Sequence, residues 1–231
     1  MRNMHIKKLR RLRIRIHVEL AALAMVLSVL AGCATDGTIK PVPVAEEPAA
    51  TQAVSVAQLE DGREGFIITE VAKMNDASRS AFHRAVAMLN KKDYGNAIEL
   101  LEKVIAQSPG ASAPYIDLGI AYARIDKPER AEAHFKTALQ LFPGHPVACN
   151  ETGLLYRKTG QFDKARAIYE QALAGFPNYY PVHKNLGILC DLYLNDLESA
   201  LAHYETYSQA MPEDAQVKLW IADLRARLGR Q

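Results

Sequence analysis

The chain has 231 residues, 49% of them hydrophobic, and its 28 Lys and Arg against 26 Asp and Glu give a formal net charge of +2 at pH 7. Seven of the basic residues but only one acid lie within residues 1–32, so the remainder carries 21 basic against 25 acidic residues, a net charge of −4. This balance excludes the strongly basic domain that is typical of nucleic-acid-binding proteins.

The first 33 residues have the pattern of a secretory signal sequence. Basic residues are concentrated between Arg2 and Arg15, Leu20–Leu30 is almost wholly apolar, and small residues precede Cys33. The apolar run is shorter than the ~20 residues that a membrane-spanning helix needs. The pattern therefore predicts a cleaved signal peptide over residues 1–32.

The residues at the predicted cleavage site, Leu30-Ala31-Gly32-Cys33, resemble the lipobox of bacterial lipoproteins without departure. The resemblance implies that Cys33 becomes the lipid-modified first residue of the mature protein, and several acyl chains anchor a protein durably. Ala34 stands where an aspartate would mark inner-membrane retention, which favours the periplasmic face of the outer membrane. The alternative is an ordinary signal peptide followed by an incidental cysteine.

Residues 33–75 are predicted to form a lipid-anchored flexible linker. Pro41, Pro43 and the Glu46-Glu47-Pro48 cluster are typical of a solvated tether, and a chain of about 40 residues has an r.m.s. span of ~35 Å. The segment Phe66–Val71 interrupts this composition with residues typical of a strand. It either adds to the sheet edge of a partner or packs along the first helix pair.

Small residues and prolines recur every 34 residues along the rest of the chain, with one interval of 35. The recurring positions are Gly119, Gly153 and Gly187; Ala97, Ala131, Ala165 and Ala200; and Pro109, Pro143, Pro177 and Pro212. Within each unit, apolar residues at spacings of three and four predict two helices, with the small residues where the helices cross. The prolines are expected to end the second helix of each unit.

This periodicity resembles the tetratricopeptide repeat family over roughly residues 78–212. The resemblance implies an all-α fold, a right-handed α-solenoid of about four helix hairpins. The predicted repeat domain is residues 76–212, with units at about 78–111, 112–145, 146–179 and 180–214. An amphipathic capping helix is expected within residues 213–231, with Trp220 either packed under it or stacking on a ligand.

The resemblance also implies that the first helices of the units line a concave binding groove. The implied groove residues are Phe82, Val86, Leu89, Ile116, Ile120, Arg124, Asn150, Leu154, Arg157, Lys158, Lys184 and Ile188. The groove would have an apolar floor and a basic margin, which suits a segment with an apolar edge and some acidic residues. Alternatively, the apolar residues only close the repeats and the basic ones are solvated.

Some members of the family grip a terminal carboxylate with lysine, asparagine and arginine at set places. In this chain those places hold Phe82, Val86, Asp117, Val147 and Glu151. This carboxylate clamp is therefore absent.

The sequence contains no phosphate-binding loop, no nucleophile elbow and no His-Glu-x-x-His motif. The histidines of the repeats are scattered over different units and helix faces, so no metal, cofactor or catalytic activity is expected. Cys149 and Cys190 differ by seven positions within their units, which places them ~10 Å apart along parallel helices. They are expected to be buried free thiols, because a disulfide needs Cα atoms within ~7 Å.

The leading hypothesis is a membrane-anchored scaffold that binds a protein or peptide segment in its groove and assembles or pilots an envelope complex. In plan it is similar to the small repeat lipoproteins that pilot pilus or secretion-pore subunits to the outer membrane. A second hypothesis is a regulator that presents cell-wall hydrolases or synthases to peptidoglycan. An envelope enzyme is the third and least supported alternative.

Overall fold

The computed structural model describes residues 55–58, 66–69 and 74–230. Two short strands, β1 (Ser55–Gln58) and β2 (Phe66–Thr69), pair antiparallel with Ser55 opposite Thr69 and Gln58 opposite Phe66. The segment with strand-like composition that begins at Phe66 does form a strand. The pairing of this strand with β1 was not predicted, because Ser55–Gln58 lies in an alanine-rich stretch. The predicted signal peptide, Cys33 and the rest of the predicted linker lie outside the described residues.

Residues 74–230 contain nine helices, arranged as four antiparallel pairs and a final helix. They are α1 (Asp76–Asn90), α2 (Tyr94–Gln107), α3 (Ser112–Arg124), α4 (Pro128–Leu141), α5 (Pro146–Lys158), α6 (Phe162–Gly175), α7 (Tyr180–Leu192), α8 (Leu197–Ala210) and α9 (Ala215–Arg227). Each pair corresponds to one of the four predicted repeat units, although α1 begins at Asp76, two residues before the predicted start of the first unit. The prediction of an all-α helical repeat is therefore confirmed.

Proline and turn residues define the ends of the helices as expected. α2, α4, α6 and α8 each end two residues before one of the periodic prolines, which cannot extend a helix. The turn inside each pair has three residues in the first three units and four in the last, which accounts for the single 35-residue interval. In each of these turns one residue has a positive φ: Lys92 (62°), Asp126 (59°), Gly160 (75°) or Asn195 (52°).

The two helices of a unit cross where glycine faces an aromatic ring. A Cβ atom on Gly119 would lie 2.5 Å from the ring of Phe135, one on Gly153 would lie 2.3 Å from Tyr169, and one on Gly187 would lie 2.5 Å from Tyr204. Only glycine allows the backbone of the first helix to approach these buried rings so closely. In the first unit the corresponding residues are Ala85 and Leu101, both fully buried. Alanine is larger than the glycine of the other units, and the leucine opposite it is smaller than their aromatic rings.

The first helices of neighbouring units lie side by side and form one face of the array. Helices α1, α3, α5 and α7 contact one another in that order, whereas each second helix contacts its own partner and the first helix of the next unit. No two second helices among the described residues contact each other, so they are more widely spaced than the first helices. The first helices therefore line the concave face, as the sequence predicts.

Helix α9 covers the end of the last pair. Val217, Ile221 and Leu224 are buried against the core, and the Trp220 ring packs on Tyr204 with the centroids 5.3 Å apart. Of the two alternatives for Trp220, the structure therefore shows packing of the ring under the capping helix. Along the described part of the chain, the structure has no helix with both the length and the apolar character required to cross a membrane.

The two cysteines of the helical array are buried and free, as the sequence predicts. Burial raises the pKa of the Cys149 thiol to about 12 and that of Cys190 to about 11. Both thiols therefore remain protonated at neutral pH, and they act as small apolar side chains of the core.

Candidate protein-binding groove

The four apolar residues at the ninth place of each unit form the floor of the predicted groove. Val86, Ile120, Leu154 and Ile188 are all partly buried, whereas the core residues beneath them are almost fully buried. Each side chain therefore keeps apolar surface that a partner can cover. A row of such surface along consecutive helices is typical of a contact site.

A cleft of about 350 Å³ opens between α3 and α5 at the middle of this row. Its lining consists of Ile120, Ala123 and Arg124 from α3 and Glu151, Leu154, Leu155 and Lys158 from α5. Four predicted groove residues, Ile120, Arg124, Leu154 and Lys158, are thus brought together. The cleft combines an apolar floor with charged side chains at its edge, a composition that matches the two faces of an amphipathic segment.

The basic margin of the cleft is exposed. Lys158 Nζ lies 2.9 Å from Asp126 Oδ1, and both side chains are largely exposed, so this ion pair contributes little to stability. It is nevertheless enough to lower the pKa of Asp126. Arg124 is also exposed, and its charge acts on the Glu151 carboxylate in the cleft.

Two carboxylates outside the predicted set of groove residues occur near this floor: Glu151 lines the cleft, and Asp117 lies on α3 three residues before Ile120. Burial and the neighbouring charge of Glu151 raise the pKa of Asp117 to about 7. Burial also raises the pKa of Glu151, against the opposing effects of a hydrogen bond from Asn150 and the charge of Arg124. Asp117 and Glu151 are 34 residues apart, so the recurrence of an acid at the same place of adjacent units is the sequence signal for both.

Two predicted groove residues, Ile116 and Asn150, are almost fully buried and offer a partner little surface. Ile116 is only 3% exposed and Asn150 only 6%, because neighbouring first helices approach each other closely at this place of the unit. Asn150 Oδ1 instead accepts a hydrogen bond from Asn185 Nδ2 (2.8 Å), and Asn150 Nδ2 donates to Glu151 Oε1 (3.1 Å). Asn150 therefore orients one oxygen of Glu151 and leaves a partner almost no surface of its own.

The amino-terminal end of the predicted groove is apolar. Phe82 and Leu89 are partly buried and pack on the core cluster that contains Ala85 and Leu101. Neither residue lines the cleft between α3 and α5. Both residues lie on α1, so they extend the apolar row to the first helix of the array without adding charge to it.

The carboxyl-terminal end of the predicted groove is covered in part by α9. Lys184 Nζ forms an ion pair with Asp214 at the start of α9 and lies 5.1 Å from the centroid of the Tyr207 ring. Its positive charge is therefore compensated within the chain. Ile188 packs on the core, and Arg157 Nη1 is buried without a hydrogen-bond partner among the described residues.

The described residues contain no group of three or more histidine, cysteine or acidic side chains that could hold a metal ion. His183 and His203, which were expected on different helix faces, meet between α7 and α8 with their Nδ1 atoms 3.1 Å apart. His183 Nε2 donates to the Pro177 carbonyl oxygen (3.0 Å), so His183 Nδ1 accepts from His203. Burial lowers the pKa of His203 to about 4, and the pair is a neutral, hydrogen-bonded packing feature.

Comparisons with known proteins agree with this geometry. The sequence profile described as tetratricopeptide repeat matches residues 88–148, 126–186 and 156–216, which together exceed half of the chain. No curated protein sequence matches.

Solved structures share the fold. The chain is 18% identical to Pseudomonas aeruginosa pilF (TM-score 0.62), and the match covers 66% of this chain and 69% of that one. For MamA from Desulfovibrio magneticus RS-1 the identity is 21% and the TM-score 0.58, with 68% and 88% covered. For the thermophilic repeat protein TTC0263 from Thermus thermophilus the identity is 24% and the TM-score 0.57, with 64% and 80% covered.

Proposed function

Because the chain belongs to the tetratricopeptide repeat family, we propose that it is a non-enzymatic scaffold that binds a protein segment in the groove of its first helices. The observation that carries this proposal is the cleft between α3 and α5, where Ile120 and Leu154 keep apolar surface beside charged groups. When an amphipathic segment binds in a concave site, its apolar face covers apolar surface of this kind, and charged groups lie around it. The rigid stack of helices holds these groups in place before the partner arrives.

The scaffold is proposed to act at the bacterial cell envelope, assembling or piloting a pilus or secretion complex. Support comes from the lipobox-like residues ending at Cys33 and from the likeness of the helical array to Pseudomonas aeruginosa pilF. A lipid anchor would confine the groove to the periplasmic face of the outer membrane and raise the effective concentration of whatever it binds. The alternative, a regulator of cell-wall enzymes, uses the same groove and anchor with a different partner.

Site-specific photo-crosslinking in the living cell tests the groove. A photoreactive amino acid in place of Ala123, which lines the cleft, is expected to give one dominant adduct with a partner protein. The matched control replaces Glu170, which is exposed on the second helix α6. Equal adducts at both positions, or adducts at Glu170 alone, would contradict the groove assignment. The identity of the adduct separates an envelope-complex subunit from a cell-wall enzyme.

Metabolic labelling with a fatty acid tests the anchor. The wild-type protein is expected to incorporate the label and to sediment with membranes, whereas Cys33→Ser abolishes both properties because the modified sulfur is absent. Cys149→Ser is the matched control and should retain the label, since that thiol is buried in the helical array. A wild-type protein without label would overturn the lipid anchor while leaving the groove proposal intact.

A further inference from the structure

Helix α9 takes the place of the first helix of a fifth unit, and no described second helix follows it. It begins 35 residues after α7, so Ala222 corresponds to Gly187, the small residue at the helix crossing. In the four complete units this residue (Ala85, Gly119, Gly153 or Gly187) is buried, whereas Ala222 is exposed. The outer face of α9 therefore resembles a face that meets a second helix, and the described part of the chain supplies none.

A cleft of about 450 Å³ opens at this place, between α8 and α9. This terminal cleft is lined by Glu205 on α8 and by Lys218, Ile221, Ala222 and Arg225 on α9, with further polar residues of α8. The isoleucine is largely buried and the alanine is small, so the floor of the cleft is apolar and its edges are charged. Such a surface suits an amphipathic helix.

Helix α7 shows what fills the same place in a complete unit. Gly187 lies against the ring of Tyr204 on α8, where a Cβ atom on the glycine would be 2.5 Å from the ring. His183, which has the place of Lys218, contacts His203, the residue before that tyrosine. The terminal cleft thus corresponds to the position of a second helix.

The charged groups of the terminal cleft are two cations and one carboxylate. Arg225 Nη2 lies 2.7 Å from Glu205 Oε1, so this arginine is paired within the chain. Lys218 is exposed and forms no ion pair with another described residue. One positive charge is therefore uncompensated, and a carboxylate on the bound helix is its complement.

The second unit shows which places of a bound helix would meet Arg225. Tyr122 has the corresponding place on α3, and the Arg130 guanidinium of α4 lies 5.4 Å from the centroid of its ring. His134 of α4 stacks on the same ring with the centroids 5.4 Å apart. Both side chains are basic and they are four residues apart. Opposite Arg225, acids are favoured at these two places, because a basic side chain there would face a like charge.

The second of these acids would also meet Lys218. Tyr115 has the place of Lys218 on α3, and its ring centroid lies 6.4 Å from that of His134. An acid at the place of His134 would therefore lie between Lys218 and Arg225. This place carries the charge recognition of the cleft.

The residue after this acid is expected to be leucine. In the second unit Phe135 follows and packs on Gly119, where a Cβ atom would lie 2.5 Å from the ring. Ala222 has such a Cβ atom, so an aromatic ring would not fit in the same way. In the unit that has alanine at this place, Ala85, the opposite residue is Leu101.

We infer that the terminal cleft binds an amphipathic helix of a partner protein, which completes the fifth unit. This helix carries two acids four residues apart and a leucine directly after the second acid. The inference goes beyond the proposed function, because it adds a second binding surface that shares no residue with the cleft between α3 and α5.

The charges disfavour a second copy of the chain as the occupant. The outer side of α1, at the other end of the described array, carries Arg79 and Arg84 against Asp76. The outer side of α9 itself carries Lys218 and Arg225. Packing α9 against either helix of a second copy would bring like charges together.

A stapled peptide tests the inference. The peptide has the sequence of Pro128–Leu141 with Arg130→Glu, His134→Glu and Phe135→Leu, and the staple lies on the face that is exposed in α4, because so short a helix is marginal alone. It is expected to bind the full-length chain in detergent, measured by fluorescence anisotropy. Glutamine at both acidic places should weaken binding about tenfold, since the charge attraction is lost.

A charge exchange tests the contact with Lys218. Lys218→Glu should weaken binding of the acidic peptide about tenfold and should favour a peptide with lysine at the second acidic place. Lys136→Glu, which reverses an exposed lysine of α4, is the matched control and should bind the acidic peptide like the wild type. Equal binding of the acidic and glutamine peptides, or no binding of either, would overturn the inference.

Three further variants separate the terminal cleft from other surfaces. Ala222→Trp fills the cleft from an exposed position and should abolish binding, whereas Ala226→Trp, on α9 outside the cleft, should not. Leu154→Asn should bind the peptide like the wild type. Loss of binding in Leu154→Asn but not in Ala222→Trp would overturn the inference and leave the groove as the binding surface. Sedimentation that shows a dimer abolished by Ala222→Trp would assign the cleft to a second copy and would also overturn it.

Discussion

Gly153→Ala is expected to lower the free energy of unfolding by about 3 kcal/mol, the upper part of the range for overpacked cores. The new Cβ would lie 2.3 Å from Cε1 and 2.5 Å from Cζ of Tyr169, far inside van der Waals contact. Tyr169 is fully buried, so its ring cannot move aside without displacing the neighbouring side chains. The helices α5 and α6 must therefore separate, and the stack on both sides is disturbed because each unit is stabilised by its neighbours.

Urea denaturation followed by circular dichroism measures this effect. Gly95→Ala is the matched control, since it makes the same change within the helix α2 and its Cβ would meet no atom within 4 Å. The control should be neutral or more stable by about 0.5–1 kcal/mol, because alanine has the higher helix propensity. Equal stabilities of Gly153→Ala and the wild type would show that the crossing is less tightly packed than the geometry indicates.

The first unit indicates how such a crossing tolerates alanine. There Ala85 takes the glycine position and Leu101 the aromatic position. Adding Tyr169→Leu to Gly153→Ala should therefore recover part of the lost stability, although Tyr169→Leu alone is destabilising because it leaves a cavity. The two substitutions would then be coupled in a double-mutant cycle, as expected for side chains in direct contact.

The sequence was sufficient to predict the architecture, because the same pattern of small residues and prolines recurs in the four units. Each periodic proline follows a second helix, and the extra residue near Asn195 is visible as the single 35-residue interval. The pairing of β1 with β2 was not foreseen, because a strand of four residues in an alanine-rich stretch has no clear periodicity. The register of a short hairpin depends on its partner strand, and composition alone does not specify that partner.

The candidate site was predicted only in part, for a reason of geometry. Residue spacing assigns a side chain to one face of its own helix, and this was enough to place Ile120 and Leu154 on the groove floor. It does not give the distance between adjacent helices, which decides that Ile116 and Asn150 are buried. Contacts between units, including that of His183 with His203, depend on the packing of helices and became visible only in the structure.

Leu154→Asn is expected to weaken binding of the partner captured at Ala123 about a hundredfold, which corresponds to ~2.7 kcal/mol. Asparagine has nearly the shape of leucine and carries no charge, so the substitution replaces apolar contact with a polar amide that a bound segment would leave unpaired. It leaves the charge of Asp117, Glu151 and Arg124 unchanged. The loss therefore measures the apolar floor of the cleft alone.

Affinity for the purified partner, measured by isothermal titration calorimetry, and the urea midpoint of each variant provide the two readouts. Leu154 is only partly buried, so the protein should stay folded with a stability loss of about 1–2 kcal/mol. Leu141→Asn is the matched control, because Leu141 is a 39% exposed leucine at the end of the second helix α4 and lies outside the cleft. It should bind the partner like the wild type. Binding by Leu154→Asn within twofold of the wild type would place the partner on another surface, because no polar group in the middle of a desolvated apolar contact is tolerated at so small a cost.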